Sequence, residues 1–135
     1  MGAWGVDTFD NDTACDWAYE LEDVHDLSLV RETLDRVLAV GEAYLDADDG
    51  CEGLAACEVI ARLKGNYGIR NAYTEAVDEW VKQHASLPTD DLVDPALAVI
   101  ERVLTAPSEL LELWEEGDAA EWRRAVEALR NRVAA

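Results

Sequence analysis

The sequence predicts an all-α protein, a single-domain bundle of about six to seven helices with an extended amino-terminal arm at residues 1–9. Apolar side chains recur at intervals of three and four residues in several segments, which is the spacing of a buried helix face. No segment alternates apolar and polar residues for long enough to form a strand. The chain has 135 residues, 50% of them hydrophobic, and that is enough for one domain with its own core.

Each helix is placed by its apolar stripe and by the residues that begin or end it. Val30, Leu34 and Val37 begin the longest apolar stripe, which predicts the second helix, and Ser28 can cap that helix. Gly65 suits a left-handed helix end, and Pro95 suits a first helical turn. The predicted helices cover residues 10–23, 28–47, 51–64, 69–84, 91–105 and 109–116. A seventh follows residues 117–118 and has Trp122, Val126, Leu129 and Val133 on one face.

The aromatic residues Trp4, Phe9 and Trp17 surround the predicted end of the arm. Glycines at positions 2 and 5 allow an extended arm to lie close to the body, with Trp4 inserted between helices. A structural latch is the simpler interpretation. The alternative is a groove that binds a peptide or ligand, because tryptophan and tyrosine are common at binding hot spots.

Four aspartates, Asp7, Asp10, Asp12 and Asp16, accompany these aromatic residues. Carboxylate oxygens are ligands for Ca²⁺ or Mg²⁺, so they are weak candidates for a cation site. Their spacing does not match a calcium-binding loop, which needs ligands at alternate positions, a central glycine and a distant glutamate. Asp10, Asn11 and Asp12 are candidate caps of the first helix, and capping by Asp10 or Asp12 explains the acidic residues more simply.

The charge balance is strongly acidic, with 30 Asp and Glu against 11 Lys and Arg and a net charge of −19. Such a field repels nucleic-acid phosphates and anionic lipid, so neither nucleic acid nor a membrane is an expected partner. It is compatible with a basic protein partner or simply with a well-solvated surface. The sequence leaves open whether the protein is a monomer or a homodimer.

Other site chemistry is weakly represented. Cys15, Cys51 and Cys57 form no Cys-x-x-Cys pair, and we expect reduced thiols in the cytoplasm. His25 and His84 belong to no zinc-binding motif, and His84 suits a helix carboxy terminus. Nucleophile elbows, phosphate-binding loops and dinucleotide fingerprints are missing from the sequence, so no cofactor and no catalytic residue is indicated. We also expect no signal peptide and no transmembrane helix.

Both ends of the sequence resemble one family. The first stretch contains Met1-Gly2-Ala3-Trp4-Gly5 and Phe9-Asp10-Asn11-Asp12, followed by Ala14, Asp16 and Trp17. The second contains Ser108-Glu109-Leu110, Leu113-Trp114 and Trp122-Arg123. They are similar to the two ends of proteins in domain-of-unknown-function family 4259. The resemblance implies a small bacterial helical protein and transfers no activity and no catalytic residue.

Two functions of different classes remain. The first is a protein-binding module whose acidic face engages a basic partner, for example as an immunity or antitoxin-like neutraliser. Its candidate contact residues are Trp4, Phe9, Asp10, Asp12, Asp16 and Trp17. The alternative is a carboxylate-based enzyme or a weakly cation-dependent protein that uses the four aspartates.

Overall fold

The computed structural model describes residues 3–135, and within this range the chain forms seven α-helices and no β-strand. The all-α prediction is confirmed. In chain order the helices are α1 (Asp12–Glu22), α2 (Ser28–Ala39), α3 (Ala47–Leu63), α4 (Glu75–Gln83), α5 (Val93–Val103), α6 (Glu109–Glu115) and α7 (Ala120–Ala134).

Helix α3 lies at the centre of the bundle and packs against every other helix. From Gly53 to Arg62 all its residues are buried, so it lacks the solvent-facing stripe of an ordinary surface helix. The outer helices turn one apolar face towards it, and α7 does so with Trp122, Val126, Leu129 and Val133. The core is therefore a shell of helices around one buried helix.

The second predicted helix ends earlier than expected, at Ala39 instead of residue 47. Gly41 follows with a φ of 61°, in the left-handed region that an α-helix cannot continue through. Asp46 then caps α3 by accepting a hydrogen bond from the Asp49 N–H at 2.8 Å. Residues 48–50, expected to break the chain between two helices, thus lie in the first turns of α3.

The fourth helix begins at Glu75, although its apolar stripe predicted a start at residue 69. The Asn71 side chain accepts hydrogen bonds from the N–H groups of Tyr73 and Thr74, forming a turn that precludes a helix there. Ile69 and Tyr73, two members of the stripe, are about half exposed, at 55% and 49%.

The amino-terminal arm folds back on itself instead of running extended. The Trp4 N–H donates to the Asp10 carbonyl at 2.9 Å, and Ala3 forms an isolated antiparallel bridge with Asn11. The Asp10 carboxylate closes the turn by accepting from the Asp7 N–H at 3.1 Å. Residues 1 and 2 of the predicted arm lie outside the described part of the chain.

Candidate functional site

Three buried charged side chains, Glu58, Arg62 and Asp78, and the partly buried Arg132 form a network where the arm meets the bundle. Arg62 of α3 pairs with Glu58 one turn earlier, and its Nε donates to Asp78 Oδ1 of α4 at 2.8 Å. Arg132 of α7 reaches both oxygens of Glu58, at 2.8 and 3.0 Å. Two carboxylates and two guanidinium groups compensate one another, which buried charges require. We call these residues the buried ion network.

The same network holds the arm and the loop before α4. The Thr8 hydroxyl donates to Glu58 Oε1 at 3.0 Å, and the Thr74 hydroxyl donates to Asp78 Oδ2 at 2.7 Å. Arg62 also donates to the carbonyl of Ile69 at 2.8 Å. Because protein donors engage both oxygens of Glu58 and of Asp78, their role in the described structure is to join the arm to the bundle.

Beside this network, a cleft of about 250 Å³ opens between the arm and helices α1, α3, α6 and α7. We call it the arm cleft. Its apolar surface comes from Leu54 of α3, Leu110 and Trp114 of α6, and Trp122 and Val126 of α7. The two indole rings are stacked, with centroids 5.9 Å apart and planes within 9° of parallel. The cleft therefore has an aromatic wall.

Three aspartates, Asp7, Asp12 and Asp48, also line the arm cleft. None of them forms an ion pair with any of the residues 3–135. Asp48 accepts one neutral hydrogen bond, from the Thr13 hydroxyl at 3.0 Å. Burial, followed by the nearby charges of Asp10 and Glu58, raises the pKa of the Asp7 carboxyl above its ordinary value. Asp7, Asp12 and Asp48 thus have no ion-pair partner within the described chain.

A second depression, of about 340 Å³, lies on the outer surface between α1 and α4. We call it the α1–α4 groove. Tyr19 and Tyr73 line it and are 62% and 49% exposed, and Trp4 packs on Tyr73 with ring centroids 5.0 Å apart. Its charged lining residues are all acidic, namely Glu22, Glu75 and Glu79. The groove combines exposed aromatic rings with an acidic lining, and Glu75 and Glu79 also line an adjacent depression that contains Arg70 and Lys82.

The structure buries two of the aromatic contact residues proposed from the sequence and leaves the third partly exposed. Phe9 and Trp17 are buried, at 2% and 1% exposure, so these two side chains are unavailable to a partner. Trp17 belongs to the core, where its ring N–H donates to the Thr33 hydroxyl at 2.9 Å. Trp4 is 48% exposed beside Tyr73, so its predicted insertion between helices is wrong.

The aspartates proposed as cap, contact or cation-binding residues do not form one cluster in the structure. Of the three candidate caps, Asn11 is the one that caps α1, accepting from the Ala14 N–H at 2.8 Å, and neither Asp10 nor Asp12 does so. Asp12 and Asp16 are exposed on α1. In residues 3–135 no three His, Cys, Asp or Glu side chains are arranged to hold a metal ion, so Asp7, Asp10, Asp12 and Asp16 are not assembled as ligands.

The thiol and imidazole groups occupy packing positions. Burial raises the pKa of Cys51 to about 12 and raises that of Cys57 further, so both remain protonated thiols near neutral pH. His84 lies at the carboxy-terminal end of α4, as predicted, with its ring stacked on Trp80 at 4.2 Å. His25 stacks on His84 in turn, at 5.6 Å.

Sequence reasoning did not identify the buried ion network or the two tyrosines of the groove. One signal was available for the network: Glu58 and Arg62 are the two charged residues in the apolar run 53–63, and they are four residues apart. The pairing of α3 with Asp78 and Arg132, 16 and 74 residues from their partners, left no such local signal.

Within residues 3–135 no helix is both long enough and apolar enough to cross a membrane. The fold and its acidic, aromatic surfaces define a small all-α protein built around one central helix. The family model described as "Domain of unknown function (DUF4259)" matches residues 2–125, and the chain belongs to that family. The expected resemblance is thereby confirmed. Searches of curated proteins and of solved structures found no match.

Proposed function

We propose that the protein is a binding module that receives a basic segment of a partner protein in the α1–α4 groove. The observation that carries the proposal is the exposure of Tyr19 and Tyr73 in a groove whose charged lining residues are all glutamates. Aromatic side chains supply much of the binding energy at protein interfaces, and acidic neighbours select a basic partner.

The aromatic part of the groove supports a protein ligand. Six large apolar side chains are exposed within residues 3–135. Three of them, Trp4, Tyr19 and Tyr73, lie in or beside the groove, and Trp4 and Tyr73 contact each other. Clustered rings of this kind are typical of interaction surfaces, whereas single exposed apolar residues are ordinary.

The charge of the groove supports a basic ligand. Glu22 of α1 and Glu75 and Glu79 of α4 line it, and the charge of Asp16 lies near Cys15, another lining residue. A partner rich in lysine or arginine would be attracted over several ångströms, with an association rate that falls as salt is added. Occupation of such a partner's basic surface would neutralise it, as immunity and antitoxin proteins do.

The cytoplasm is the proposed compartment. Cys15, Cys51 and Cys57 are all unpaired, which suits a reducing environment. This part of the proposal is tested by fractionation of source cells.

The groove is tested with the double variant Tyr19→Ser/Tyr73→Ser, immobilised beside the native chain and exposed to source lysate. The matched control is Tyr44→Ser, because Tyr44 is 51% exposed and does not line the groove. At about 0.05 M salt we expect the native chain and the control to retain the same basic protein, and the double variant to retain about tenfold less.

The retained protein is then purified and titrated against each chain. Its affinity should fall steeply between about 0.05 and 0.5 M salt, because the attraction is electrostatic. Equal retention by the double variant, or no basic protein retained at low salt, would refute the proposal. Circular dichroism of each variant verifies that it is folded.

A further inference from the structure

We propose that the arm cleft is a second and separate binding site, for a small free organic amine with an apolar body. The site is on a different surface from the α1–α4 groove, so it does not depend on the proposed protein partner. It follows from the size of the cleft, its aromatic wall and the charge of the side chains around it.

The volume and the apolar walls of the cleft indicate the size and polarity of the ligand body that fits it. At about 250 Å³ it lies just below the usual range of drug-sized pockets, roughly 300–1,000 Å³, so it suits a small molecule. Leu54, Leu110 and Val126 form an apolar surface beside the stacked rings of Trp114 and Trp122. Burial of a phenyl or similar group there removes apolar surface from water on both molecules.

The charged side chains of the cleft indicate which head group the ligand carries. Four carboxylates line it, those of Asp7, Asp12, Asp48 and Glu58, against the single guanidinium of Arg132. Arg132 is held by both oxygens of Glu58, so these two charges compensate each other. Asp7, Asp12 and Asp48 form no ion pair within residues 3–135, and an ammonium group is the complement to them.

Two helix amino termini border the cleft, and their dipoles by themselves would favour an anion. Their free N–H groups are partly occupied already. The Asn11 side chain accepts from Ala14 N–H in α1, Asp46 accepts from Asp49 N–H in α3, and Glu109 accepts from Ala47 N–H at 2.7 Å. The aspartates at these positions therefore dominate the field that a ligand meets.

The test is calorimetric titration of the full chain with three probes that share one skeleton. Phenethylamine carries the ammonium group, 2-phenylethanol is neutral and 3-phenylpropionate is anionic. We expect phenethylamine to bind at least about tenfold more tightly than either of the others. Tighter binding of the propionate would show an anion site and overturn the proposal, as would equal binding of all three.

The position of binding is tested with Asp48→Asn, which keeps an oxygen able to accept from the Thr13 hydroxyl. Asp35→Asn is the matched control, since Asp35 is exposed on α2 and does not line the cleft. Phenethylamine affinity should fall about tenfold in the first variant and stay unchanged in the second. The indole N–H resonances of Trp114 and Trp122 should shift on binding, and unchanged resonances would place the ligand elsewhere.

A lysine side chain of a protein carries the same head group, so the source of the ammonium also needs a test. The probe is N-acetyl-lysine-N-methylamide, which presents that side chain on a peptide backbone. We expect it to bind more weakly than phenethylamine, and equal or tighter binding would overturn the assignment to a free amine. The Tyr19→Ser/Tyr73→Ser variant should bind phenethylamine normally, so failure of one proposal is distinguishable from failure of the other.

Discussion

Glu58 joins four parts of the chain through one buried carboxylate. It accepts from Thr8 of the arm and from Arg132 of α7, and it pairs with Arg62, which in turn reaches Asp78 of α4. A buried ion pair adds little net stability compared with apolar residues, but removal of one member leaves the others without compensation. The role of Glu58 is thus to fix the relative positions of these segments.

Replacement of Glu58 by Gln should lower the free energy of unfolding by about 3–5 kcal/mol, because the buried Arg62 and the partly buried Arg132 lose their common charge partner. The matched control is Glu52→Gln on the same helix. Glu52 is partly exposed, at 23%, and within residues 3–135 it pairs only with Arg36, which is 45% exposed, so the change should be below about 1 kcal/mol. Urea unfolding measures both, and equal effects at the two positions would contradict the role assigned to Glu58.

At the scale of one element, α3 packs so closely against its neighbours that one added methyl group would disturb the packing. A Cβ at Gly53 would lie 2.9 Å from Val99 Cγ1 of α5 and 3.0 Å from Val37 Cγ2 of α2. A Cβ at Gly50, three residues earlier, would meet Leu110 at an ordinary contact distance of 3.4 Å. The absent side chain at Gly53 therefore sets how closely α2 and α5 approach the central helix.

These two glycines give opposite predictions for the same substitution. Gly50→Ala should raise the free energy of unfolding by about 0.5–1 kcal/mol, because alanine loses less backbone entropy in a helix. Gly53→Ala gains the same amount but overpacks the core, at a cost of about 1–3 kcal/mol, so a net loss is expected. Thermal and urea unfolding of both variants measure the difference, and stabilisation by Gly53→Ala would show that the helices separate easily.

At the scale of the whole molecule, negative charge opposes the compact fold. The net charge is −19, and folding brings these carboxylates closer together. Burial is the largest factor that raises the pKa of Asp7, of Asp49 and of Glu52. A carboxyl whose pKa is higher in the folded state than in the unfolded state binds more protons when folded.

The free energy of unfolding should therefore rise as pH is lowered from neutral towards the pKa values of these carboxyls, and fall as pH rises through them. Hydrogen bonds with Ser28 lower the pKa of Asp26, so this group changes the free energy of unfolding with pH in the opposite direction. Its side chain is fully exposed, so solvent screens the effect. Urea midpoints at about pH 7.5 and about pH 5 test the sign. Asp7→Asn should reduce the rise and Asp35→Asn should not, and a midpoint that falls between these two pH values would refute the account.

Local signals were sufficient for much of the fold. The apolar stripe from Trp122 to Val133 predicted α7, and Gly65 ends α3 with a φ of 87°, as expected. Local signals failed where a loop depends on another segment. Residues 41–46, predicted as helix, instead pair Leu45 with Ser108, in an isolated parallel bridge between segments 63 residues apart.

The candidate sites were less predictable than the fold. Trp4 was identified from sequence and does lie beside the α1–α4 groove, but Phe9 and Trp17 are in the core. An aromatic residue gives the same local pattern whether it faces the core or solvent, and only its neighbours in space decide between them. The sequence indicated no site at Trp114 or Trp122, since nothing local indicates that α6 and α7 stack their rings beside a cleft.

The sequence by itself determined the helical class, the acidic surface and most helix ends, because periodicity, net charge and capping act over a few residues or over the whole composition. Tertiary structure alone decided that α3 is central, that Glu58 and Arg132 meet, and that aspartates of the arm, α1 and α3 share a cleft with two tryptophans. Those contacts join residues far apart in the chain. They form only when the helices of residues 3–135 pack together and bury their apolar side chains.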